Sequence, residues 1–95
     1  MAIQMIMRWE GITPAQYDEA RKIVNWEGDA PTGAIHHVAS FDGKGARITD
    51  VWESAEDFQR FVDERLNPGV EKVGIEGEPQ VEIYPAHAVF APGYK

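Results

Sequence analysis

The chain is short, acidic and free of cysteine, which excludes several classes of function. Its 95 residues include 9 basic and 16 acidic residues and no cysteine. This length predicts one domain over residues 1–95, and the lack of cysteine excludes disulfides, thiolate metal sites and a cysteine nucleophile. Scattered basic residues, the lack of a long apolar run and the lack of a signal-like start predict no nucleic-acid partner, no membrane contact and a cytoplasmic location.

The first third of the chain predicts a strand followed by a helix. Apolar residues alternate with polar ones over residues 3–9, as in a strand with one buried face. Thr13 and Gln16 then form a capping box around Pro14, which predicts a helix that ends near Gly28. Its apolar positions have helical spacing: Tyr17, Ala20, Ile23 and Val24.

The rest of the chain predicts a hairpin, a second helix and a last strand. Two strand-like runs at residues 34–41 and 46–53 flank the turn at residues 42–45. A capping box at Ser54 to Asp57 begins a helix, which we expect residues 67–69 to end. One helical turn at most is expected before the final strand at residues 81–84.

This element order predicts the fold and a homodimer. Strand, helix, hairpin, helix and strand make the ferredoxin-like α+β fold, in which two helices cover one face of a four-stranded antiparallel sheet. The opposite face carries Ile6, Val38 and Val51, so we expect two subunits to pair their sheets there. Val89, Phe90 and Tyr94 predict that the tail over residues 85–95 packs on its own domain or on the partner subunit.

The hairpin turn predicts a candidate catalytic pair. If Phe41 pairs with Ala46, His37 lies opposite Asp50, and Ile35 lies opposite Trp52. A carboxylate in that position orients one imidazole nitrogen and leaves the other available to move a proton or hold a ligand oxygen. The alternative is a polar pair that only satisfies its own hydrogen bonds.

The surroundings of the pair predict a pocket for a small apolar ligand. The expected ligand-binding residues are Trp52, Ile35, Phe41, Ile48, Phe58 and His87. His87 follows the last strand, where it either closes over the pocket or is an exposed tail residue, and Trp52 is alternatively a core residue. No cofactor and no metal are predicted, because phosphate-binding loops are absent and His36 points away from His37; a three-histidine metal site is an alternative that the spacing does not require.

The segment from Val51 to Phe58, a strand-end tryptophan followed by a capped helix with an early phenylalanine, resembles the dimeric α/β-barrel superfamily that includes antibiotic-biosynthesis monooxygenases. Within it, the chain is most similar to small bacterial members with no assigned activity. The resemblance implies paired sheets and one pocket per subunit between sheet and helices.

The same resemblance narrows the chemistry that we expect. Trp52 matches a tryptophan used by cofactor-free oxygenases and by haem-degrading members. The oxygenases have an asparagine where this chain has Ile48, and the haem-degrading members have an asparagine on the first strand and a histidine on the helix after the tryptophan, both absent here. Other relatives catalyse isomerisation, cyclisation or dehydration, which a His37–Asp50 pair suits better than oxygen activation.

These observations lead to one functional hypothesis and two alternatives. The hypothesis is a homodimer that binds an aromatic or polyketide-like compound and acts as a monooxygenase-like or cyclase- or isomerase-like enzyme, with His37 and Asp50 as catalytic residues. The alternatives are a ligand-binding protein without turnover and a purely structural homodimer.

Overall fold

A computed structural model describes residues 1–92 and has one four-stranded antiparallel sheet with its helices on one face. The strands are β1 (Ile3–Glu10), β2 (Ala34–Phe41), β3 (Gly45–Trp52) and β4 (Gln80–Pro85), in the sheet order β2-β3-β1-β4. Helix α1 (Pro14–Val24) connects β1 to β2. Helix α2 (Ala55–Phe61), a π-helical turn (Val62–Leu66) and helix α3 (Asn67–Val73) connect β3 to β4. The predicted ferredoxin-like fold is confirmed.

The core lies between the central strands and the helices. The alternation predicted for β1 is confirmed, because every second side chain is buried: Ile3, Met5, Met7 and Trp9. Met5 is 1% exposed, and these side chains pack with residues of β3 and α2 in one hydrophobic cluster. The pairing of β1 with both β3 and β4 therefore gives the sheet a strongly apolar centre.

Helix α1 begins as predicted and ends earlier. The Thr13 hydroxyl accepts a hydrogen bond from the backbone N–H of Gln16 at 3.1 Å, and the Gln16 side chain accepts one from the N–H of Thr13 at 3.0 Å. The helix ends at Val24, before the predicted position near Gly28, because Asn25 adopts a left-handed conformation with φ of 58°. Asparagine tolerates that conformation, and its N–H still bonds the carbonyl of Arg21.

The prediction that residues 67–69 end the second helix is wrong. Helical backbone continues through them as α3 and ends at Gly74, which has φ of 82°. The π-helical turn precedes Pro68, and Pro68 falls in the first turn of α3. Proline has no backbone N–H, and the first turn of a helix does not require one. Gly69 is buried against Val24 of α1, so this glycine allows two helices to approach closely.

The hairpin has the predicted register over most of its length. Phe41 pairs with Ala46, and His37 pairs with Asp50. The prediction that Ile35 lies opposite Trp52 is wrong, because a register shift between Ala34 and His36 brings Ala34 opposite Trp52. A bulge of this kind adds one residue to one strand without changing the pairing beyond it.

The sheet face opposite the helices carries apolar residues on three strands. Thr49 of β3 pairs with Val38 on one side and with Ile6 on the other, and Val51 lies two residues farther along β3. Val38 is 41% exposed. We call Ile6, Val38 and Val51 the free-face residues; no helix of the described chain covers them.

The tail beyond β4 lies largely in solvent where it is described. Phe90 is 90% exposed, so it does not pack on its own domain, whereas Val89 is 48% exposed and therefore half-covered. Packing on a partner subunit stays a prediction, and Tyr94 lies outside the described residues. Within residues 1–92, no helix has the length and apolar character needed to cross a membrane.

The contact of Gly69 with Val24 generates a prediction about stability. Alanine normally stabilises a helix interior by about 1 kcal/mol relative to glycine, but a β-carbon at position 69 would overlap a methyl group of Val24. We expect Gly69→Ala to lower the free energy of unfolding by about 1–3 kcal/mol, as overpacking does, when measured by chemical denaturation. Adding Gly69→Ala to Val24→Ala should cost nothing further, whereas a gain in stability from Gly69→Ala alone would contradict this packing.

Candidate functional site

A cavity of about 420 Å³ lies between the sheet and the helices. Strands β1, β2 and β3 supply one wall; helices α1, α2 and α3 and the loop after α1 supply the others. The lining is mainly apolar and aromatic, and its residues include Met5, Met7, Tyr17, Trp26, Ile48, Trp52, Phe58, Phe61, Leu66 and Val70. The volume falls within the roughly 300–1,000 Å³ that is typical of small-molecule sites.

A buried carboxylate on β3 organises the polar part of this wall. Asp50 is 6% exposed and accepts two hydrogen bonds, one on each oxygen. The Nδ1 atom of His37 is 2.6 Å from Oδ1, and the indole Nε1 of Trp52 donates to Oδ2 at 3.0 Å. Because an ionised carboxylate only accepts hydrogen bonds, Nδ1 of His37 carries the hydrogen in this pair.

The other nitrogen of His37 bonds the hydroxyl of Tyr17 on α1. The distance from Tyr17 Oη to His37 Nε2 is 2.7 Å. With the hydrogen on Nδ1, Nε2 of the neutral ring is an acceptor and Tyr17 is the donor. The expectation that this nitrogen is available to a ligand is therefore wrong. Trp52, Asp50, His37 and Tyr17 form one hydrogen-bonded series, which we call the site series.

Aromatic rings surround the outer end of the site series. The ring of Tyr17 lies parallel to His37, with 6.2 Å between centroids, and meets Phe41 edge-on at 5.8 Å. Trp26, in the loop after α1, lies 5.5 Å from His37 and 5.7 Å from Tyr17. This half-buried setting raises the pKa of the Tyr17 hydroxyl above its usual range, chiefly through burial, so Tyr17 is a neutral phenol at neutral pH.

Among the described residues, the cavity lining has one acidic side chain besides Asp50, and this side chain pairs with a cation. Glu27 lines the cavity, and its carboxylate accepts a hydrogen bond from Arg21 Nη2 at 2.7 Å. The hydrogen bond from Arg21 lowers the pKa of Glu27. Because Arg21 neutralises this charge locally, the pair adds little net field to the apolar cavity.

The structure places most of the sequence-predicted site residues together. His37, Asp50, Trp52, Ile35, Ile48 and Phe58 all line the cavity. Phe41 is not in the lining, although its ring contacts Tyr17. His87 is exposed after β4, on the opposite edge of the sheet from β2, so it does not line the cavity of its own subunit. Across residues 1–92, no three His, Cys, Asp or Glu side chains group as metal ligands.

Tyr17 is not among the site residues predicted from the sequence. Tyr17 shares a helical face with Ala20 and Val24, which indicates packing on the sheet and says nothing about a hydroxyl that reaches β2. Trp26 lies beyond the end of α1, whereas the sequence predicts it within the helix. The signal that distinguishes Tyr17 is its polar atom on a face that otherwise has none, since a buried phenol normally finds a partner.

Comparison with known proteins relates the chain to others by its fold. No family model matches it, and no curated protein matches it. A Nitrosomonas europaea protein of unknown function, NE2512, superposes with a TM-score of 0.69 at 16% identity, over 97% of this chain and 95% of that one. SnoaB of Streptomyces nogalater, a cofactor-independent oxygenase, superposes with a TM-score of 0.67 at 12% identity, over 93% and 95%.

A third solved structure is a dimeric ferredoxin-like protein of unknown function from Thermobifida fusca. Its TM-score is 0.64 at 10% identity, over 90% of this chain and 92% of that one. Similarity at these identities extends over nearly the whole chain and concerns the fold alone. The chain thus has the ferredoxin-like fold of antibiotic-biosynthesis-monooxygenase-like proteins.

Proposed function

We propose that the chain binds a small aromatic or polyketide-like molecule in its cavity and transfers a proton to or from it. The observation that supports this most directly is the site series, which runs along the wall of an otherwise apolar cavity. A histidine oriented by a buried carboxylate is a general acid–base, and the apolar lining provides the binding energy.

Proton transfer fits the residues better than oxygen activation. The position four residues before Trp52 is Ile48, whose side chain adds apolar surface to the cavity and offers no hydrogen bond to a substrate oxygen. His37 and Asp50 instead supply a base and the anion that stabilises it when it is protonated. Interconversion of a ketone and its enol, as in isomerisation or cyclisation, is the type of reaction that such a pair supports.

The electrostatics favour an uncharged ligand. The protein carries a net charge of −7, and both carboxylates of the cavity, Asp50 and Glu27, already have donors. An anionic ligand would meet no unpaired cation there among the described residues. A neutral bicyclic ketone such as 2-tetralone is therefore a suitable probe.

A homodimer is part of the proposal. The free-face residues lie on three neighbouring strands, so a second sheet packed on them would bury one continuous surface. The ferredoxin-like protein of Thermobifida fusca is dimeric, which supports a dimer for this chain.

Filling the cavity should prevent binding of 2-tetralone. Ile48→Trp replaces an aliphatic side chain of the lining by a larger indole ring. We expect the dissociation constant measured by calorimetry to rise about ten-fold or more, which corresponds to about 1.4 kcal/mol. Ile23→Trp is the matched control, because Ile23 lies on α1 outside the cavity lining and is 40% exposed. Equal affinity in both variants would place the ligand elsewhere.

Removing the imidazole should stop proton transfer without stopping binding. In D₂O, the unaltered protein should accelerate deuterium exchange at the enolisable carbon of 2-tetralone, followed by proton NMR. We expect His37→Ala to lower the accelerated rate by about 100-fold, which is typical of losing a general base. His87→Ala is the control, since His87 is exposed outside the cavity. Binding without accelerated exchange would favour the ligand-binding alternative. The absence of both binding and accelerated exchange would favour the structural homodimer.

A charge on the free face should separate the subunits. Val51→Lys would bury an unpaired ammonium in the proposed interface, which costs several kcal/mol. We expect sedimentation velocity to show a dimer for the unaltered chain and a monomer for Val51→Lys. Ile23→Lys, which puts the same charge on an exposed helical position, should remain dimeric. A dimer in all three proteins would contradict the interface.

A further inference from the structure

We infer that Tyr17, and not His37, is the residue that exchanges a proton with the ligand, while His37 accepts and returns the proton behind it. This inference rests on the proposed function, because it assigns the atom that reacts in the same cavity.

Both nitrogens of His37 already have partners. Nδ1 lies 2.6 Å from Asp50, and Nε2 lies 2.7 Å from the Tyr17 hydroxyl. Imidazole has no further hydrogen-bonding atom. A ligand in the cavity could bond His37 only by first displacing Tyr17, whose ring is held against Trp26 and Phe41.

Each polar atom of the inner members of the site series also has a hydrogen-bond partner. Asp50 is buried and uses one oxygen for His37 and the other for Trp52. The indole of Trp52 is a donor only, and its single hydrogen points to Asp50. Because Asp50 is buried, the more exposed end of the series, the oxygen of Tyr17, is the acceptor that we assign to the ligand.

The Tyr17 oxygen is well placed for this role. Tyr17 lines the cavity, and its oxygen donates its one hydrogen to His37 and keeps acceptor capacity for a ligand hydrogen. Burial raises the pKa of the Tyr17 hydroxyl, so the phenol does not lose its proton to solvent at neutral pH. It therefore requires a neighbouring acceptor, and His37 is that acceptor.

Two proton transfers occur together in one step. A hydrogen next to a ligand carbonyl passes to Tyr17 Oη as the hydroxyl hydrogen of Tyr17 passes to Nε2 of His37. The C–H bond of the ligand breaks, and its electron pair becomes that of the enolate. Tyr17 is neutral again, and the imidazolium of His37 is stabilised by Asp50. The reverse sequence returns the proton to a different carbon of the same ligand or to the original one.

This assignment specifies the class of substrate. The molecule needs an enolisable C–H or a phenolic O–H that reaches the Tyr17 oxygen, and an aromatic or otherwise flat apolar body that fits the lining. Because the transfer uses neither an oxidant nor a reductant, the substrate and the product are isomers or tautomers.

Tyr17→Phe tests the inference because it removes one oxygen and keeps the ring. The experiment measures binding of 2-tetralone by calorimetry and deuterium exchange by NMR for the unaltered chain and for Tyr17→Phe. We expect binding to change little and the accelerated exchange to fall about 100-fold, as for loss of an acid–base group. Tyr84→Phe is the matched control, since the hydroxyl of Tyr84 bonds Glu82 on the exposed strand β4.

The outcomes separate this inference from the proposed function. If the unaltered chain and Tyr17→Phe exchange at rates within about two-fold of each other while His37→Ala is slow, His37 acts directly and the inference is overturned, although proton transfer in the cavity stands. If the unaltered chain neither binds 2-tetralone nor accelerates exchange, the proposed function fails and the inference fails with it. Imidazole ¹⁵N shifts that place the hydrogen on Nε2 of His37 would also overturn the inference.

Discussion

The buried carboxylate of Asp50 is the constraint on which the rest of the site depends. An ionised group that is 6% exposed is costly unless donors satisfy it, and Trp52 and His37 supply one donor for each oxygen. These two bonds fix the ring of His37 and its hydrogen on Nδ1, which in turn makes Nε2 the acceptor for Tyr17. One charge on β3 thereby orders side chains from β2 and α1.

Much of this arrangement could be predicted because it follows from local rules. The turn sets the hairpin register, and the register alone brings His37 opposite Asp50. The contact with Tyr17 depends on how α1 packs on the sheet, which no spacing within one element reveals. The bulge at Ile35 and the continuation of helix through Pro68 also escaped prediction, because the first depends on the pairing with β3 and the second on the π-helical turn before Pro68.

The fold and the site contribute different information about function. SnoaB and the proteins of unknown function share the sheet and the helices with this chain at low identity. A shared scaffold explains why a cavity lies between sheet and helices, but the reaction depends on the side chains that line it. In this chain, that lining includes an isoleucine at position 48 and a hydrogen-bonded tyrosine, histidine and aspartate.

The bulge between Ala34 and His36 also makes the strand register of His37 independent of the length of the loop that precedes β2. In a regular strand, a one-residue insertion ahead of His37 that propagated through the pairing would turn His37 to the other face. A bulge absorbs such a shift locally. A change in the length of the loop between α1 and β2, which carries Trp26 and Glu27 at the cavity, would therefore reshape the lining while His37 keeps its position opposite Asp50.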